Sequence, residues 1–369
     1  MLLATTTLLA ALAAPHSFPL TEYWVYVAAE SSDEVFLVSF DGTEARVEER
    51  IQVGYMPTEI EGPHGLTVSP DGAYWFVSMA HGKPYGILYK YATGSNELLG
   101  ETELGLFPAS MEISPSTDLL YCVNFDLHGD MTPSSVSVVD PESMDEVART
   151  VTGAMPHGSR ISPDGRRHYS CAMMSDQLFE IDTRTFEVLR VLELNDGKGA
   201  TGSEDGHGHG GEGGLRLSKP ANPVKPTWVD PHPTRPVAYV ALNGAAQVVE
   251  VDLESWAITR RFPTAPGPYN LVVSDDGKRM VVSYKTAGAV GIWDLERNEE
   301  LARIPATRKV THGVTISPDS RYAFVSNESV GAEIGTLDVL DLTTNKLVAT
   351  VELGLQPGGI TFWKVEERD

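Results

Sequence analysis

One hairpin pattern recurs along almost the whole chain. In its clearest copy, PHGLTVSPDGAYWFVSM at Pro63–Met79, a Pro-His-Gly corner leads into an apolar run, a Ser-Pro-Asp-Gly turn and a second apolar run. Proline presets φ, aspartate caps the turn and glycine tolerates positive φ, so the four-residue segment favours a turn. Aromatic and β-branched residues in the second run favour a strand. The sequence therefore predicts a chain of repeated β-hairpins.

The copies are evenly spaced. Relative to the reference position Ser69, the equivalent residues are Ser114, Ser162, Asp230, Ser274, Ser317 and, in a degenerate copy, Trp363. Successive copies are 43 to 48 residues apart, except for 68 residues between Ser162 and Asp230. A period of about 40–45 residues with four short strands per copy is typical of a β-propeller blade.

The seventh copy lies too close to the C-terminus to supply four strands. Two N-terminal runs, Tyr23–Ala29 and Glu34–Phe40, match the second-strand and third-strand positions, and Ala45–Val53 can form the outer strand. A last blade built from both ends of the chain would close the ring and remove exposed sheet edges. We expect an all-β fold, a single seven-bladed β-propeller over residues 21–369.

Two segments fall outside this repeat. Residues 1–14 are apolar and end in Ala-Leu-Ala-Ala, which resembles a secretory signal peptide that lacks its basic region. The run is too short to span a membrane comfortably, so we expect a periplasmic or extracellular protein without a membrane span in its mature form. Residues 195–224 form a Gly/His-rich insertion with His207 and His209, which we expect to be a flexible loop.

The charge and the cysteines narrow the choice of partners and of covalent links. The chain has 51 acidic residues against 28 lysines and arginines, a formal charge of −23, so it offers no basic track for nucleic acid or an anionic membrane. Cys122 and Cys171 lie in second strands at positions that face opposite ways. Two buried thiols are therefore favoured over a disulfide.

Histidines are concentrated at one predicted end of the ring. The corner position is occupied in blades one to seven by His64, Ala109, His157, Lys225, Tyr269, His312 and Gly358. Loops between second and third strands open on the same face and add His81, Asp126, His128, Asp130 and Glu328. Two further histidines, His168 and His232, lie near the turns at the opposite end, and we expect both to be on the surface.

Imidazoles that converge from separate strands are suited to copper or zinc. We therefore take His64, His157 and His312 as candidate metal ligands, with His128 and His81 as further ligands or proton carriers. A structural role is equally open, because a corner histidine can simply hydrogen-bond to the neighbouring blade. Loop histidines, in turn, are often only solvated.

Charged and aromatic residues could bind a substrate in the channel and at its mouth. Glu112 and Arg160 occupy equivalent heights in adjacent blades, which favours an ion pair between them. Alternatively, Arg160 could hold an anionic ligand. The candidate substrate-binding residues are Arg160, Lys225, Tyr269 and Glu328.

The repeat core resembles the YVTN family of seven-bladed propellers, which includes cytochrome d1 haem-domain-like sequences. The segments that carry this resemblance are YVALN at Tyr239–Asn243, FVSN at Phe324–Asn327 and the SPDG turns. The histidine-rich mouth is similar to that of copper propellers such as nitrous oxide reductase, and LHGD at Leu127–Asp130 is similar to a segment of selenium-binding protein/methanethiol oxidase. These likenesses imply one or two metal ions, since the paired histidines and cupredoxin domain of nitrous oxide reductase are missing.

We therefore expect an exported propeller with a histidine-ligated metal, preferably copper, that acts as an oxidoreductase on a small molecule. Zinc or no metal are the alternatives for the cofactor. The competing hypothesis for the function is a non-catalytic binding or scaffold propeller that recognises a protein or a small ligand.

Overall fold

The computed structural model describes residues 20–56, 58–81, 85–127, 129–195, 199–201 and 224–368. Within these ranges the strands form seven antiparallel sheets. The inner strand of each sheet contacts the inner strands of both neighbouring sheets, and this series of contacts closes on itself. The predicted seven-bladed β-propeller is confirmed.

The strands of each blade follow one another from the channel to the outside of the ring. In this order, blade one consists of Pro63–Val68, Tyr74–Met79, Ile87–Ala92 and Leu98–Glu103. Blade two consists of Pro108–Ile113, Leu120–Asn124, Pro133–Asp140 and Asp145–Ala154. Blade three consists of Pro156–Ile161, Arg167–Ala172, Gln177–Asp182, Val188–Glu193 and a short fifth strand, Gly199–Thr201. Blades four and five are Pro226–Pro231, Val237–Leu242, Gln247–Asp252, Ala257–Pro263; and Pro268–Val273, Arg279–Tyr284, Ala289–Asp294, Glu299–Pro305. Blades six and seven are Thr311–Ile316, Tyr322–Asn327, Thr336–Asp341, Lys346–Glu352; and Pro357–Arg368, Leu20–Ala29, Glu34–Phe40, Ala45–Gln52. Two 3₁₀ turns, Glu30–Ser32 and Asn243–Ala245, follow second strands.

Blade seven joins the two ends of the chain, as the sequence predicted. Its inner strand Pro357–Arg368 is antiparallel to Leu20–Ala29, with Thr361 opposite Tyr26. The core lies between the blades, where large side chains from neighbouring sheets interdigitate. For example, the rings of Tyr23 in blade seven and Tyr322 in blade six meet edge to face at 5.0 Å. Such contacts bury the apolar face that a single sheet cannot bury alone.

Blade four shows where the predicted alignment was wrong. The Ser69 N–H donates to the Tyr74 carbonyl, and in blade four the His232 N–H donates to Val237 in the same way. His232, and not Asp230, is therefore the reference residue, and every position assigned to this inner strand moves by two. The His232 ring is buried, accepts the N–H of Thr234 at Nδ1 (3.1 Å), and has Nε2 3.1 Å from a carbonyl of the next blade.

The surface position expected for His232 and His168 is thus wrong. His168 is fully buried and stacks on Tyr121 of the adjacent blade at 5.2 Å. It lies near a turn along the chain, yet its strand position points between two blades. By contrast, the two cysteines are free and buried, as predicted.

Several sequence predictions concern residues outside the described ranges. The proposed signal peptide at 1–14 and almost all of the 195–224 insertion belong to this group, so both stay predictions. No helix in the described part of the chain is long and apolar enough to cross a membrane.

Candidate metal centre

The blade corners are built alike. The residue two positions before each corner residue has a positive φ of 49° to 76°. These residues are Gly62, Phe107, Met155, Lys225, Gly267, Val310 and Gln356. Its carbonyl accepts the N–H of the residue that follows the second strand, as in the 2.8 Å bond from Ala80 to Gly62. The bond recurs in all seven described corners and places the next side chain at the same height around the axis.

Glycine after the corner histidine allows the inner strands to approach closely. A Cβ on Gly65 would lie 1.9 Å from the Ala109 carbonyl oxygen, and one on Gly158 would lie 2.3 Å from that of Thr227. Real Cβ atoms do not come so near to a backbone oxygen, so only glycine fits. The His-Gly pattern therefore brings the corners close together.

His64, His157 and His312, which we call the histidine triad, meet on the axis. One candidate ligand nitrogen from each ring lies within 4.8 Å of the others. The ring centroids are 6.0, 5.8 and 6.5 Å apart, and the residues are 9%, 1% and 4% exposed. In a tetrahedral site with bonds of about 2.0 Å, ligand nitrogens are about 3.3 Å apart. Small side-chain rotations would thus close the triad around one ion.

Glu30 orients the first of these rings. Its Oε2 lies 2.8 Å from His64 Nδ1, and its Oε1 lies 2.9 Å from Nε2 of the half-buried His81. Burial by itself raises the pKa of Glu30, but His64 and His81 outweigh burial and lower it below the usual range. An ionised carboxylate only accepts hydrogen bonds, so His64 donates to Glu30 from Nδ1, which leaves Nε2 as its nitrogen for a metal.

The other two rings also have polar neighbours. His157 donates from Nδ1 to the Thr227 carbonyl at 3.2 Å, while its Nε2 accepts the Tyr269 hydroxyl at 2.8 Å. His312 Nε2 faces Glu328 at 3.4 Å, and its buried Nδ1 has no partner among the described residues. Burial lowers the pKa of His157 to about 3 and that of His312 well below 6.5. Both rings are therefore neutral at physiological pH, the form in which imidazole binds metals.

A charged pair supports the triad from the side. The Lys285 ammonium lies 2.9 Å from Glu328 and 4.3 Å from the centre of the Tyr269 ring. Burial opposes the charge on Lys285, but Tyr269 and Glu328 outweigh it and raise the pKa of Lys285. Burial also raises the pKa of Glu328, which Lys285 partly offsets. The ammonium thus holds the carboxylate next to His312.

Sequence reasoning missed Glu30 and Lys285. Both occupy the position directly after the second strand, which in blades one to seven holds Ala80, Phe125, Met173, Asn243, Lys285, Glu328 and Glu30. Three charged residues in consecutive blades at this position were the signal that could have revealed them.

A cavity of about 410 Å³ extends from the triad to the turns at the opposite end of the ring. In its middle, Arg160 Nε lies 3.8 Å from Asp230 Oδ1, and the guanidinium lies 4.9 Å from the centre of the Trp228 ring. The expected Glu112–Arg160 ion pair is wrong, because Glu112 Oε2 instead accepts the N–H of Ile161 at 2.5 Å. With blade four shifted by two residues, Asp230 occupies the same height in its blade as Glu112 and Arg160 in theirs.

The remaining candidates are placed as follows. Lys225 lies before the corner and donates its N–H to Asp176 at 2.8 Å, so its assignment to the corner position is wrong, and Thr227 stands there. His81 bonds to Glu30, which in turn bonds to His64 of the triad. Tyr269 and Glu328 contact triad members directly. His128 lies outside the described residues.

Fold and site together define a seven-bladed β-propeller with three converging histidines that could hold a metal ion. No protein-family model matches the chain. Two curated relatives, the uncharacterized protein YncE of Salmonella typhi and of Salmonella typhimurium, are 28% identical over 201 residues, which are 49% of this chain and 55% of theirs. The match therefore spans about half the length of these relatives.

Solved structures share the ring fold. A chain of Kuenenia stuttgartiensis hydrazine synthase is 19% identical, with a TM-score of 0.63 over 85% of this chain and 98% of its own. The periplasmic gluconolactonase PpgL of Pseudomonas aeruginosa is 17% identical, with a TM-score of 0.70 over 93% and 99%. A functionally unknown protein from Desulfotomaculum acetoxidans is 13% identical, with a TM-score of 0.69 over 92% and 98%. The resemblance to YVTN-type seven-bladed propellers is confirmed, and the chain is similar to YncE over about half its length.

Proposed function

We propose that the protein binds one copper ion through the histidine triad and acts as an exported oxidoreductase on a small molecule. The observation that carries this proposal is the meeting of three buried imidazole nitrogens within 4.8 Å, in a cavity wide enough for a ligand. His312 Nδ1 is buried without a partner among the described residues, and a buried polar group is costly to leave unpaired. Metal binding would satisfy it, and at His157 the metal would displace the Tyr269 hydroxyl.

Contacts to the outer nitrogens favour the same interpretation. Metal-bound histidines almost always donate their other N–H to a carboxylate or a carbonyl, which fixes the tautomer. Glu30, Thr227 and Glu328 face the outer nitrogens of His64, His157 and His312 respectively. The bond from His157 to Thr227 of the next blade also stabilises the corner, so the contacts that favour a metal are those of the carboxylates Glu30 and Glu328.

Copper is favoured over zinc by the donor set. Three imidazoles form a nitrogen-only site, and copper stands above zinc in affinity for such ligands. Copper would supply one-electron chemistry at a position left open for substrate. The residues of the chain hold the rings, while Tyr269 and the Lys285–Glu328 pair limit access from the side. Hydrogen bonds run from His64 through Glu30 to His81, whose side chain is partly exposed. This series of bonds is a route for proton exchange.

Export is part of the proposal. It is supported by the apolar run at residues 1–14 and by the fold shared with a gluconolactonase that is described as periplasmic. That neighbour also suggests the alternative metal chemistry, hydrolysis of a small ring ester with zinc. We rank this hydrolytic alternative second because the donor set consists of nitrogen atoms only.

Metal analysis tests the proposal. The full chain, purified without a histidine tag and supplied with copper and zinc together, is expected to retain about one equivalent of copper. The double variant His64→Ala, His157→Ala should retain none, whereas His168→Phe, which alters a buried histidine outside the site, should bind like the wild type. Zinc in place of copper would favour the hydrolytic alternative. A metal-free wild type, with unchanged thermal stability in chelator, would favour the binding or scaffold propeller.

A further inference from the structure

The channel below the triad is acidic. Among the described residues that line the cavity, Glu112, Asp230 and Asp275 carry carboxyl groups, and Arg160 alone carries a permanent positive charge. Asp275 is exposed at the turn end, at the position after the reference residue. In five other blades this position is proline: Pro70, Pro115, Pro163, Pro233 and Pro318. A carboxylate has therefore replaced a turn residue at the entrance.

Arg160 does not satisfy these acids. Its Nε is 3.8 Å from Asp230, longer than a hydrogen bond, and its Nη1 donates to the carbonyl of Ser159. Burial raises the pKa of Asp230 to about 7 and also raises the pKa of Glu112, because the guanidinium only partly offsets burial. The middle of the channel thus lacks a second positive charge.

A further polar group of the cavity lining has no partner. Asn270, which lies nearer the triad, is 3% exposed, and its Oδ1 makes no hydrogen bond to any described residue. Buried polar groups are normally hydrogen-bonded, so unpaired ones beside a cavity indicate a missing ligand or water.

We propose that the channel binds a small organic cation with N–H donors, of the primary ammonium class, with Asp230 and Glu112 as its counter-charges. An ammonium group carries three donors, and Glu112, Asp230 and Asn270 offer acceptors on the inner strands of blades two, four and five, which all line this cavity. Asp275 would attract the cation at the entrance, and the charge of −23 favours its approach. The proposal rests on the proposed function, since it names the substrate class for the channel that leads to the triad.

Calorimetric titration of the full chain tests this site. Propylammonium, propionate and propanol are titrated into the protein as purified and after chelator treatment. We expect only propylammonium to bind, with or without metal. Because hydrogen bonds to charged groups are strong, Glu112→Gln and Asp230→Asn should each weaken binding about tenfold or more. Glu142→Gln, an exposed acid outside the cavity, serves as the matched control and should bind like the wild type.

Three results would overturn the proposal: propionate binding in place of propylammonium, no binding of propylammonium, or wild-type affinity in both channel variants. Asp230 also accepts the N–H of Val273 at 2.6 Å, so thermal unfolding of each variant is measured first. If Asp230→Asn is destabilised, the proposal is tested by propylammonium binding to Glu112→Gln and to the entrance variant Asp275→Asn. Propylammonium is also titrated into metal-free protein. Its binding is therefore measured independently of copper binding, and the two proposals can fail separately.

Discussion

Replacing Glu30 by glutamine tests how the triad is prepared for a metal. The carboxylate accepts from His64 at 2.8 Å and from His81 at 2.9 Å, through one oxygen each. An amide has one oxygen and one NH₂ group, so it can accept from only one of these rings. If the NH₂ group faces His64, the His64 proton must move to Nε2, which then has no lone pair for a metal. If the oxygen faces His64, a neutral and weaker acceptor replaces the carboxylate.

The expected cost follows from both orientations. Loss of a carboxylate that supports a metal-bound histidine lowers metal affinity by about 10- to 100-fold, which corresponds to about 1.4–2.7 kcal/mol. The measurement is a competition titration of copper between the protein and a chelator of known affinity. His81→Gln is the matched control, since it keeps the bond from Glu30 to His64 and should lose little affinity. Unchanged copper affinity in a folded Glu30→Gln protein would refute the role assigned to Glu30.

Three other substitutions and one change of pH give further predictions. His168→Phe should raise the free energy of unfolding by about 1–3 kcal/mol in urea, because both nitrogens of this buried ring have no partner among the described residues. Burial lowers the pKa of His157 and His168 to about 3, so the unfolded state takes up protons first as pH falls below about 6.5. Thermal melts should show stability lost between about pH 6.5 and 3, by up to about 1.4 kcal/mol per pH unit for each ring. Gly65→Ala should cost about 3 kcal/mol, since its Cβ would lie 1.9 Å from the Ala109 oxygen. Tyr269→Phe removes a hydrogen bond to His157 that a metal must displace, so copper affinity should rise by up to about tenfold.

Each of these predictions has a contrary result. A destabilised His168→Phe protein would mean that its ring nitrogens are paired after all. A flat stability profile between pH 7 and 5 would contradict the neutral state assigned to the buried rings. A fully stable Gly65→Ala protein would show that the blades can separate without cost, and weaker copper binding in Tyr269→Phe would make the hydroxyl a ligand and not a competitor.

The ring and its closure could be predicted from the sequence because each blade repeats the same hairpin. Blade four was misaligned because Asp230-Pro231 and His232-Pro233 both look like the start of a turn. Only the hydrogen bond from the His232 N–H to Val237 separates the two choices. The corner histidines were found because they follow a visible motif. Glu30 was missed because it lies near the N-terminus, far in sequence from the His64 ring that it orients.

The burial of side chains between blades could also not be predicted from the sequence pattern. His168 has a polar side chain near a turn, a combination that is usually found on the surface. Its neighbour Tyr121 belongs to the preceding blade, and their stacking depends on the packing of two sheets. The prediction that Arg160 pairs with Glu112 was wrong for a related reason. Its partner is Asp230, which can be identified only when the register of the blade-four inner strand is known.

The closing of the ring by blade seven has a consequence for how the centre is assembled. Glu30 follows a strand that is held in place by Pro357–Arg368, so the carboxylate reaches His64 only after the last segment of the chain has been added. During synthesis, Glu30 and the histidines of blades one and three would emerge long before Pro357–Arg368 closes the ring. Metal capture would therefore report that the ring has closed, and a protein truncated before residue 357 should not bind the metal.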